Sequence, residues 1–183
     1  MTEHESALER DFVTLTCFID ASAQIISQPV TLCFFDGATL RRYTPDFLVH
    51  CNDGRSQLIE VKYRADLREK WRQWRPAFLA AREWARERQT SFRIATERSI
   101  RCAALENARR LLPLRAAPLD RALADQLRNA LACLPDPTFG ALAAAVPEPR
   151  AAVLGALWRM IARGELRVDL TVPIELRTRL ALP

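Results

Sequence analysis

The chain has 183 residues, of which 49% are apolar, so it can bury one sizeable core, or one core and a small module. Lys and Arg number 27 against 22 Asp and Glu, and the resulting net charge of +5 is compatible with a polyanionic partner. No apolar run approaches the roughly 20 residues that cross a bilayer, and no signal peptide precedes the first element. The five cysteines show neither a disulfide framework nor zinc-ligand spacing, which together with the absence of a leader predicts a soluble cytoplasmic protein.

Residues 1–113 predict one α/β domain in which helices flank a mixed sheet. Its helical segments, in which apolar residues recur at three- and four-residue steps, cover residues 3–19, 66–89 and 100–112. Its strand-like segments cover residues 24–28, 31–35, 39–50, 58–63 and 92–95. Asp36-Gly37 predicts a hairpin turn between the second and third strands. Pro76 predicts a kink or a restart within the long helix.

Two carboxylates and an ammonium are predicted to meet across the next hairpin. Glu60 and Lys62 leave the same face of one strand, because side chains alternate along it. A three-residue loop over residues 52–54 places Asp46 directly opposite Glu60, with Cβ atoms roughly 5 Å apart. A two-residue turn would instead pair Asp46 with Val61 and break the cluster. We predict the three-residue loop.

Two carboxylates this close repel each other by about 4 kcal/mol at an effective dielectric near 20. Either one of them stays protonated or a cation lies between them. Hard oxygen ligands with no Cys and His set nearby favour Mg²⁺ or Mn²⁺. Lys62 could then position an attacking water or stabilise the charge that builds on a phosphate. The alternative is a surface ion pair on an ordinary half-buried hairpin.

The helix that follows begins with a basic stretch. Between residues 62 and 75, six basic residues face two acidic ones, and phosphate neutralisation by such a stretch would make DNA binding fall steeply with salt. The alternative is a solvated helix face. The predicted DNA contacts are Arg42, Arg64, Arg68, Lys70, Arg72 and Arg75. An apolar stripe on the same helix, which we predict to face the core rather than to stack on bases, comprises Leu67, Trp71, Trp74, Phe78, Ala81 and Ala85.

From residue 114 onward the composition shifts to Ala, Leu and Pro. Helices are predicted over residues 118–131, 139–146 and 150–162, with Thr138 as the N-cap of the second. An extended run at 166–170 follows. Three helices and a hairpin-like arm predict a small winged-helix-like domain over residues 114–183. Its third helix is mostly apolar, so protein docking and DNA contact are equal alternatives.

Several segments resemble the PD-(D/E)xK nuclease superfamily and, more narrowly, the TnsA-type endonuclease subunit of heteromeric, Tn7-like transposases. These segments are Leu8-Glu9-Arg10-Asp11-Phe12, Gln28-Pro29, Arg42-Tyr43-Thr44-Pro45-Asp46-Phe47, Ile59-Glu60-Val61-Lys62 and Thr96-Glu97. The resemblance covers residues 3 to about 112 and implies a restriction-endonuclease-like fold. The C-terminal part fits the family's two-domain plan only loosely.

The resemblance implies a Mg²⁺- or Mn²⁺-dependent endonuclease that cuts the 5′ ends of a mobile element in double-stranded DNA. An integrase-type (DDE) transposase would cut the 3′ ends, and an AAA+ regulator could join the assembly in the bacterial cytoplasm, at the nucleoid. By this analogy Asp46 and Glu60 hold the metal, Glu9 assists from the first helix and Lys62 orients the nucleophile. The carbonyl of Val61 would supply a further ligand.

Two other functions stay open from the sequence. The first keeps the nuclease but makes it a stand-alone restriction or repair enzyme that needs no partner. The second is a non-catalytic DNA-binding or scaffold protein whose C-terminal domain docks partners. Retention of both carboxylates and the ammonium argues against the scaffold, since a site without a reaction to perform has no need of these charges together.

Overall fold

The computed structural model describes the backbone from Glu3 to Pro183 and the side chains from Ala7 onward. The chain forms two compact units, the first ending at Arg101 and the second beginning at Cys102. This division lies earlier than the predicted boundary after residue 113. Among the described residues, no helix is long and apolar enough to cross a membrane.

The first unit combines helices with short strands. Its helices are α1 (Glu3–Ile19), α2 (Arg64–Glu87) and α3 (Glu97–Ile100). Its strands are β1 (Gln24–Ser27), β2 (Leu32–Asp36), β3 (Thr39–Tyr43), β4 (Phe47–His50), β5 (Ser56–Val61) and β6 (Ser91–Ala95). The predicted single strand over 39–50 is wrong, because it is two strands. The break falls at Pro45, which has no N–H to donate to a ladder.

A mixed four-stranded sheet lies at the centre of this unit, in the order β1-β4-β5-β6. Strands β1, β4 and β5 pair antiparallel, whereas β5 and β6 are parallel. Helix α2 connects the parallel pair, as a parallel crossover requires. The predicted mixed α/β architecture is therefore confirmed, and it fits a nuclease-like fold.

The β4–β5 hairpin has the predicted register. The Cys51 N–H donates to the Arg55 carbonyl at 2.8 Å and closes a three-residue loop. Gly54 in this loop has a φ of 81°, a conformation that glycine adopts without strain. The strand pairing, continued by one residue, sets Asp46 opposite Glu60. The prediction of a three-residue loop is confirmed.

Different helices cover the two faces of the sheet. Helix α2 packs on the face that carries Leu58, where Ala81 is fully buried. Helix α1 packs on the other face, where Phe12 stacks on Phe47 with ring centroids 5.4 Å apart. Since side chains alternate along β5, Glu60 leaves the sheet on the α2 side.

Strands β2 and β3 form a separate hairpin that packs against α2 through Leu32 and Tyr43. Its two-residue turn follows Asp36, and Gly37 has a φ of 62°. The turn predicted at Asp36-Gly37 is confirmed. The hairpin covers part of the sheet face that also carries Glu60.

Helix α2 is continuous for 24 residues with Pro76 inside it, so the predicted restart does not occur. Burial of the neighbouring Ala77 and Phe78 stabilises the helix there. The predicted core stripe is confirmed only for the second half of the helix. In the first half Trp71 is 45% exposed.

The second unit is helical. Its helices are α4 (Ala103–Leu111), α5 (Arg121–Cys133), α6 (Phe139–Ala145) and α7 (Arg150–Ala162), with a short 3₁₀ helix at Leu112–Leu114. The helix predicted over 100–112 is wrong in its start, since α3 ends at Ile100 and α4 begins anew at Ala103. The predicted N-cap is confirmed, because the Thr138 hydroxyl accepts from the Ala141 N–H at 3.2 Å.

The extended run predicted at 166–170 does not form a strand. In the described part of this unit the chain makes only two isolated bridges, Arg167 with Ala181 and Thr138 with Arg179. Buried Asn107 instead donates to the carbonyls of Leu170 and Val172 and ties this segment to α4. The winged-helix assignment stays a prediction.

Candidate active site

Three predicted site residues meet at the end of β5. Asp46 directly precedes β4. Glu60 is the penultimate residue of β5, and Lys62 directly follows that strand. The Val61 N–H donates to Asp46 Oδ2 at 2.7 Å. Lys62 Nζ lies 3.1 Å from Glu60 Oε1. The hairpin register and the strand alternation thus place both carboxylates and the ammonium at one site, as predicted.

Tyr43 is a member of this site that sequence reasoning missed. Its hydroxyl donates to Glu60 Oε2 at 2.5 Å, so both carboxylate oxygens of Glu60 have a donor. A continuous strand over 39–50 would have put Tyr43 and Asp46 on opposite faces. The break at Pro45 removes that restriction. The signal available in the sequence was the position of Tyr43 three residues before Asp46.

The electrostatics of the site centre on Glu60, which is buried. Burial and the negative charge of Asp46 raise the pKa of Glu60 to about 7, against the lowering effects of Lys62 and the Tyr43 hydrogen bond. Burial and the Glu60 charge also raise the pKa of Tyr43, which keeps its hydroxyl protonated and able to donate. The site therefore holds more negative charge than Lys62 neutralises.

Aromatic rings from α2 form one wall of the site. Lys62 Nζ lies 5.7 Å from the centroid of Trp74, within cation–π range, and Lys70 lies at the same distance from that ring. Phe78 meets the edge of Tyr43 with centroids 6.1 Å apart. These contacts limit the freedom of the two donors that hold Glu60.

Two further segments that resemble the TnsA-type family, Gln28-Pro29 and Thr96-Glu97, support the backbone around the site. The Gln28 N–H donates to the Asp46 carbonyl at 2.8 Å, and Gln28 has a φ of 48°, rare for a residue with a side chain. Glu97 Oε2 accepts from the Arg64 N–H at 3.0 Å, where the N-terminus of α2 favours a negative charge. Gln28 therefore anchors the Asp46 segment, and Glu97 anchors the helix that follows Lys62.

Glu9 is carried by the first helix and not by the β4–β5 hairpin segment that carries Asp46 and Glu60. Glu9 is half-buried on α1, which packs on the opposite face of the sheet from Glu60. Within the part of the chain whose side chains are described, no three Asp, Glu, His or Cys residues lie close enough together to hold a metal ion. Val61 takes part through its N–H, and the predicted roles of its carbonyl and of Glu9 stay predictions.

Comparison with known protein families bears directly on this site. Residues 20–97 match the family model described as TnsA-like endonuclease N terminal. This segment is similar to the N-terminal domain of TnsA-type endonucleases. It contains Asp46, Glu60 and Lys62, whereas α1 with Glu9 and the whole second unit lie outside the match. No curated protein matches the chain.

The basic residues that are predicted to contact DNA fall into two groups. Those on the first turns of α2 follow the site directly, and all but half-buried Arg64 are exposed; they are Arg64, Arg68, Lys70, Arg72 and Arg75. Arg42 is exposed on β3, where alternation directs it to the hairpin face opposite Tyr43. The α2 group therefore extends from the site, while Arg42 projects away from it.

Proposed function

We propose that this protein is the metal-dependent endonuclease subunit of a Tn7-like transposase and hydrolyses phosphodiester bonds at the 5′ ends of the transposon. One observation carries the proposal. Asp46, Glu60 and Lys62 lie together at one site, inside the segment that matches the TnsA-like endonuclease family. Neither the fold nor the family alone would assign a reaction, but this arrangement of charges suits phosphodiester hydrolysis.

The two carboxylates fit Mg²⁺ or Mn²⁺. Mg²⁺ binds through one or two carboxylates and keeps several waters, so it needs no dense protein cage. Burial and the Asp46 charge raise the pKa of Glu60, and a divalent cation between the two carboxylates would offset both effects. Asp46 and Glu60 would hold the ion, and the Val61 carbonyl would be a further ligand. When bound, the ion would supply Lewis acidity and lower the pKa of a coordinated water.

The chain's own groups would position the reactants. The Val61 N–H fixes one oxygen of Asp46, and the Tyr43 hydroxyl fixes one oxygen of Glu60. Lys62, held between Glu60 and Trp74, would orient the attacking water or neutralise charge on the phosphate. Burial of Glu60 excludes bulk water, which strengthens these interactions.

The partners of this reaction follow from the same proposal. The basic residues that begin α2 would contact the backbone of double-stranded transposon-end DNA, and binding would weaken with salt. An integrase-type (DDE) transposase would cut and join the opposite strand, with an AAA+ regulator in the assembly. The second unit would dock a protein partner or contact DNA.

The test is cleavage of transposon-end duplex by the full chain together with an integrase-type transposase, in Mg²⁺, Mn²⁺ or a chelator. We expect nicking with either metal, none with chelator, and loss of nicking in Asp46→Ala. Asp125→Ala, which removes an exposed carboxylate of α5, is the matched control and should cleave normally. Cleavage by Asp46→Ala at the wild-type rate would remove Asp46 from the mechanism.

The same experiment separates the other functions. Strong cleavage without any partner would favour a stand-alone restriction or repair nuclease. Absence of cleavage together with no effect of Mn²⁺ on thermal stability, with and without DNA, would favour a non-catalytic scaffold. Either result would replace the proposal.

A further inference from the structure

One face of α2 exposes arginines that alternate with large apolar side chains. Its members recur at three- and four-residue steps and are all exposed; they are Arg68, Trp71, Arg75, Leu79, Arg82 and Arg86. Trp71 is 45% exposed and Leu79 51% exposed. Large apolar groups gathered on a surface mark an interaction site more often than isolated ones do.

Four of these side chains line a shallow depression of about 530 Å³ between α2 and β6, here named the Trp71 depression. Trp71, Phe78 and Leu79 line it from the helix, and Phe92 and Ile94 line it from the strand. Trp71 and Phe78 are in ring contact, with centroids 5.9 Å apart. The floor is therefore apolar and partly aromatic.

The rim of the Trp71 depression is cationic. Arg75 and Arg82 both line it. Arg86, farther along the face, is neutralised by Glu83 at 3.4 Å. In the portion of the chain that the structure describes, neither Arg75 nor Arg82 forms an ion pair or a side-chain hydrogen bond. An occupant with an apolar flat face and negative charge on either side would complement both the floor and the rim.

We propose that the Trp71 depression binds an unpaired nucleotide of the DNA substrate, with its base on Trp71 and its flanking phosphates on Arg75 and Arg82. This inference rests on the proposed nuclease function and adds that the bound DNA has a single-stranded segment. A duplex keeps its bases stacked inside and offers this surface only phosphates. An unpaired strand offers a π-face together with a phosphate on each side, which suits aromatic and arginine side chains.

The position of the depression supports this occupant. Trp71 contacts Phe78, Phe78 contacts Trp74 at 6.2 Å, and the Trp74 ring lies against Lys62 of the candidate site. A strand that leaves the site along α2 therefore meets Arg75 and Trp71 next. A nick opened at the site would supply such a free strand end.

The experiment compares binding of a short oligothymidylate with that of a blunt duplex of equal length. It uses the full chain in chelator, so that nothing is cleaved. We expect Trp71→Ala to weaken oligothymidylate binding about tenfold, since one base stack is lost, and to leave duplex binding unchanged. Trp71→Phe should restore most of the affinity. Phe35→Ala, which removes a still more exposed aromatic (71%) from the β2–β3 hairpin, is the control and should change neither.

The arginines give a second measurement. Arg75→Ala and Arg82→Ala should each reduce the salt dependence of oligothymidylate binding by about 0.7 in the log–log slope, because each removes one phosphate contact. An unchanged slope in both variants would contradict the proposal. So would equal losses of oligothymidylate and duplex binding in Trp71→Ala, which would make the surface an ordinary duplex contact. Tighter binding of polyglutamate than of oligothymidylate would make it a protein-docking site.

The outcomes are separable from those of the proposed function. Normal cleavage by wild-type protein, combined with oligothymidylate binding that is insensitive to Trp71→Ala, would overturn only this inference. Absence of cleavage by wild-type protein, combined with Trp71-dependent binding of the single strand, would overturn only the nuclease.

Discussion

Glu60 in the first unit and Glu165 in the second are both sheltered carboxylates, yet their surroundings differ. Glu165 is 21% exposed in its side chain and faces three guanidinium groups; Arg128 lies at 2.6 Å, Arg121 at 3.4 Å and Arg163 at 4.0 Å. Glu60 is 4% exposed in its side chain and has one ammonium at 3.1 Å. A second carboxylate, Asp46, adds repulsion to its burial.

The difference supports a structural role for Glu165 and the proposed catalytic role of Glu60. Around Glu165 positive charge exceeds negative, so the carboxylate joins α5 to the turn after α7 and stabilises the unit. Around Glu60 negative charge exceeds positive, which costs folding free energy. Residues whose pKa is displaced by burial and a like charge concentrate at active sites, because the cost is repaid only when a ligand binds or a reaction occurs.

The largest effect should come from removing the ammonium. Lys62→Ala should lower the cleavage rate by about 10²- to 10³-fold, since a preorganised donor to developing charge is lost. Lys70→Ala is the matched control, because Lys70 lies equally close to Trp74. It should affect DNA binding at most. The measurement is single-turnover cleavage of transposon-end duplex, and equal rates for the two variants would place Lys62 outside the reaction.

The next effect is a change in pH dependence. The pKa of Glu60 is about 7 in the folded protein against 4.5 as its ordinary value, so the folded state retains a proton that the unfolded state loses between these values. Without divalent metal, the retained proton adds to the free energy of unfolding. That contribution is fully present below pH 4.5 and is lost as the pH rises through 7.

Glu60→Gln removes that loss. The free energy of unfolding of Glu60→Gln minus that of wild type should be larger at pH 8 than at pH 5 by on the order of 3 kcal/mol. Urea unfolding at the two pH values measures the difference. If the free energies of unfolding of the two proteins differ by the same amount at both pH values, Glu60 is an ordinary carboxylate and the contrast with Glu165 disappears.

Glu165→Gln should act in the opposite direction. Three arginines would lose the charge they share, and the free energy of unfolding should fall by about 1 to 3 kcal/mol at neutral pH. Glu106→Gln is the control, because the Glu106–Arg109 pair at 2.8 Å is exposed on one helix face and should contribute less than about 0.5 kcal/mol. A stabilised Glu165→Gln protein would contradict the structural role.

The smallest effect concerns the Tyr43 hydroxyl. Tyr43→Phe keeps the ring and removes the donor to Glu60, and it should weaken Mn²⁺ binding by roughly tenfold, as losses of groups that orient a metal ligand do. Titration calorimetry measures the affinity. Tyr63→Phe changes the chain's other tyrosine and should leave the affinity unchanged. Equal affinities in wild type and Tyr43→Phe would leave Tyr43 with a packing role only.

The hairpin of the site could be predicted from the sequence because it depends on local rules. A period of two along the strand sets Glu60 and Lys62 on one face, and a loop with Gly54 at a positive φ sets the register that brings Asp46 opposite. Tyr43 could not be predicted as a site residue, because residues 39–50 read as one continuous strand in the sequence. Its separation into two strands of different sheets depends on tertiary packing.

Two other features also required the structure. Helical periodicity identifies the apolar face of α2 but not how far along the helix the sheet covers that face. The sequence therefore predicts a core position for Trp71, which the structure exposes. The alternating run at 166–170 predicts a strand, yet its partner residue Ala181 is distant in sequence and only one bridge forms.

The most direct measurement is Mn²⁺ titration of the full chain near pH 7, in two buffers with different ionisation enthalpies. If Asp46 and Glu60 share a divalent ion, wild-type protein should bind Mn²⁺ with release of protons, because Glu60 must ionise to bind. Asp46→Asn should lose that binding. Equal Mn²⁺ binding by both proteins, or none by wild type even with transposon-end DNA, would contradict the account.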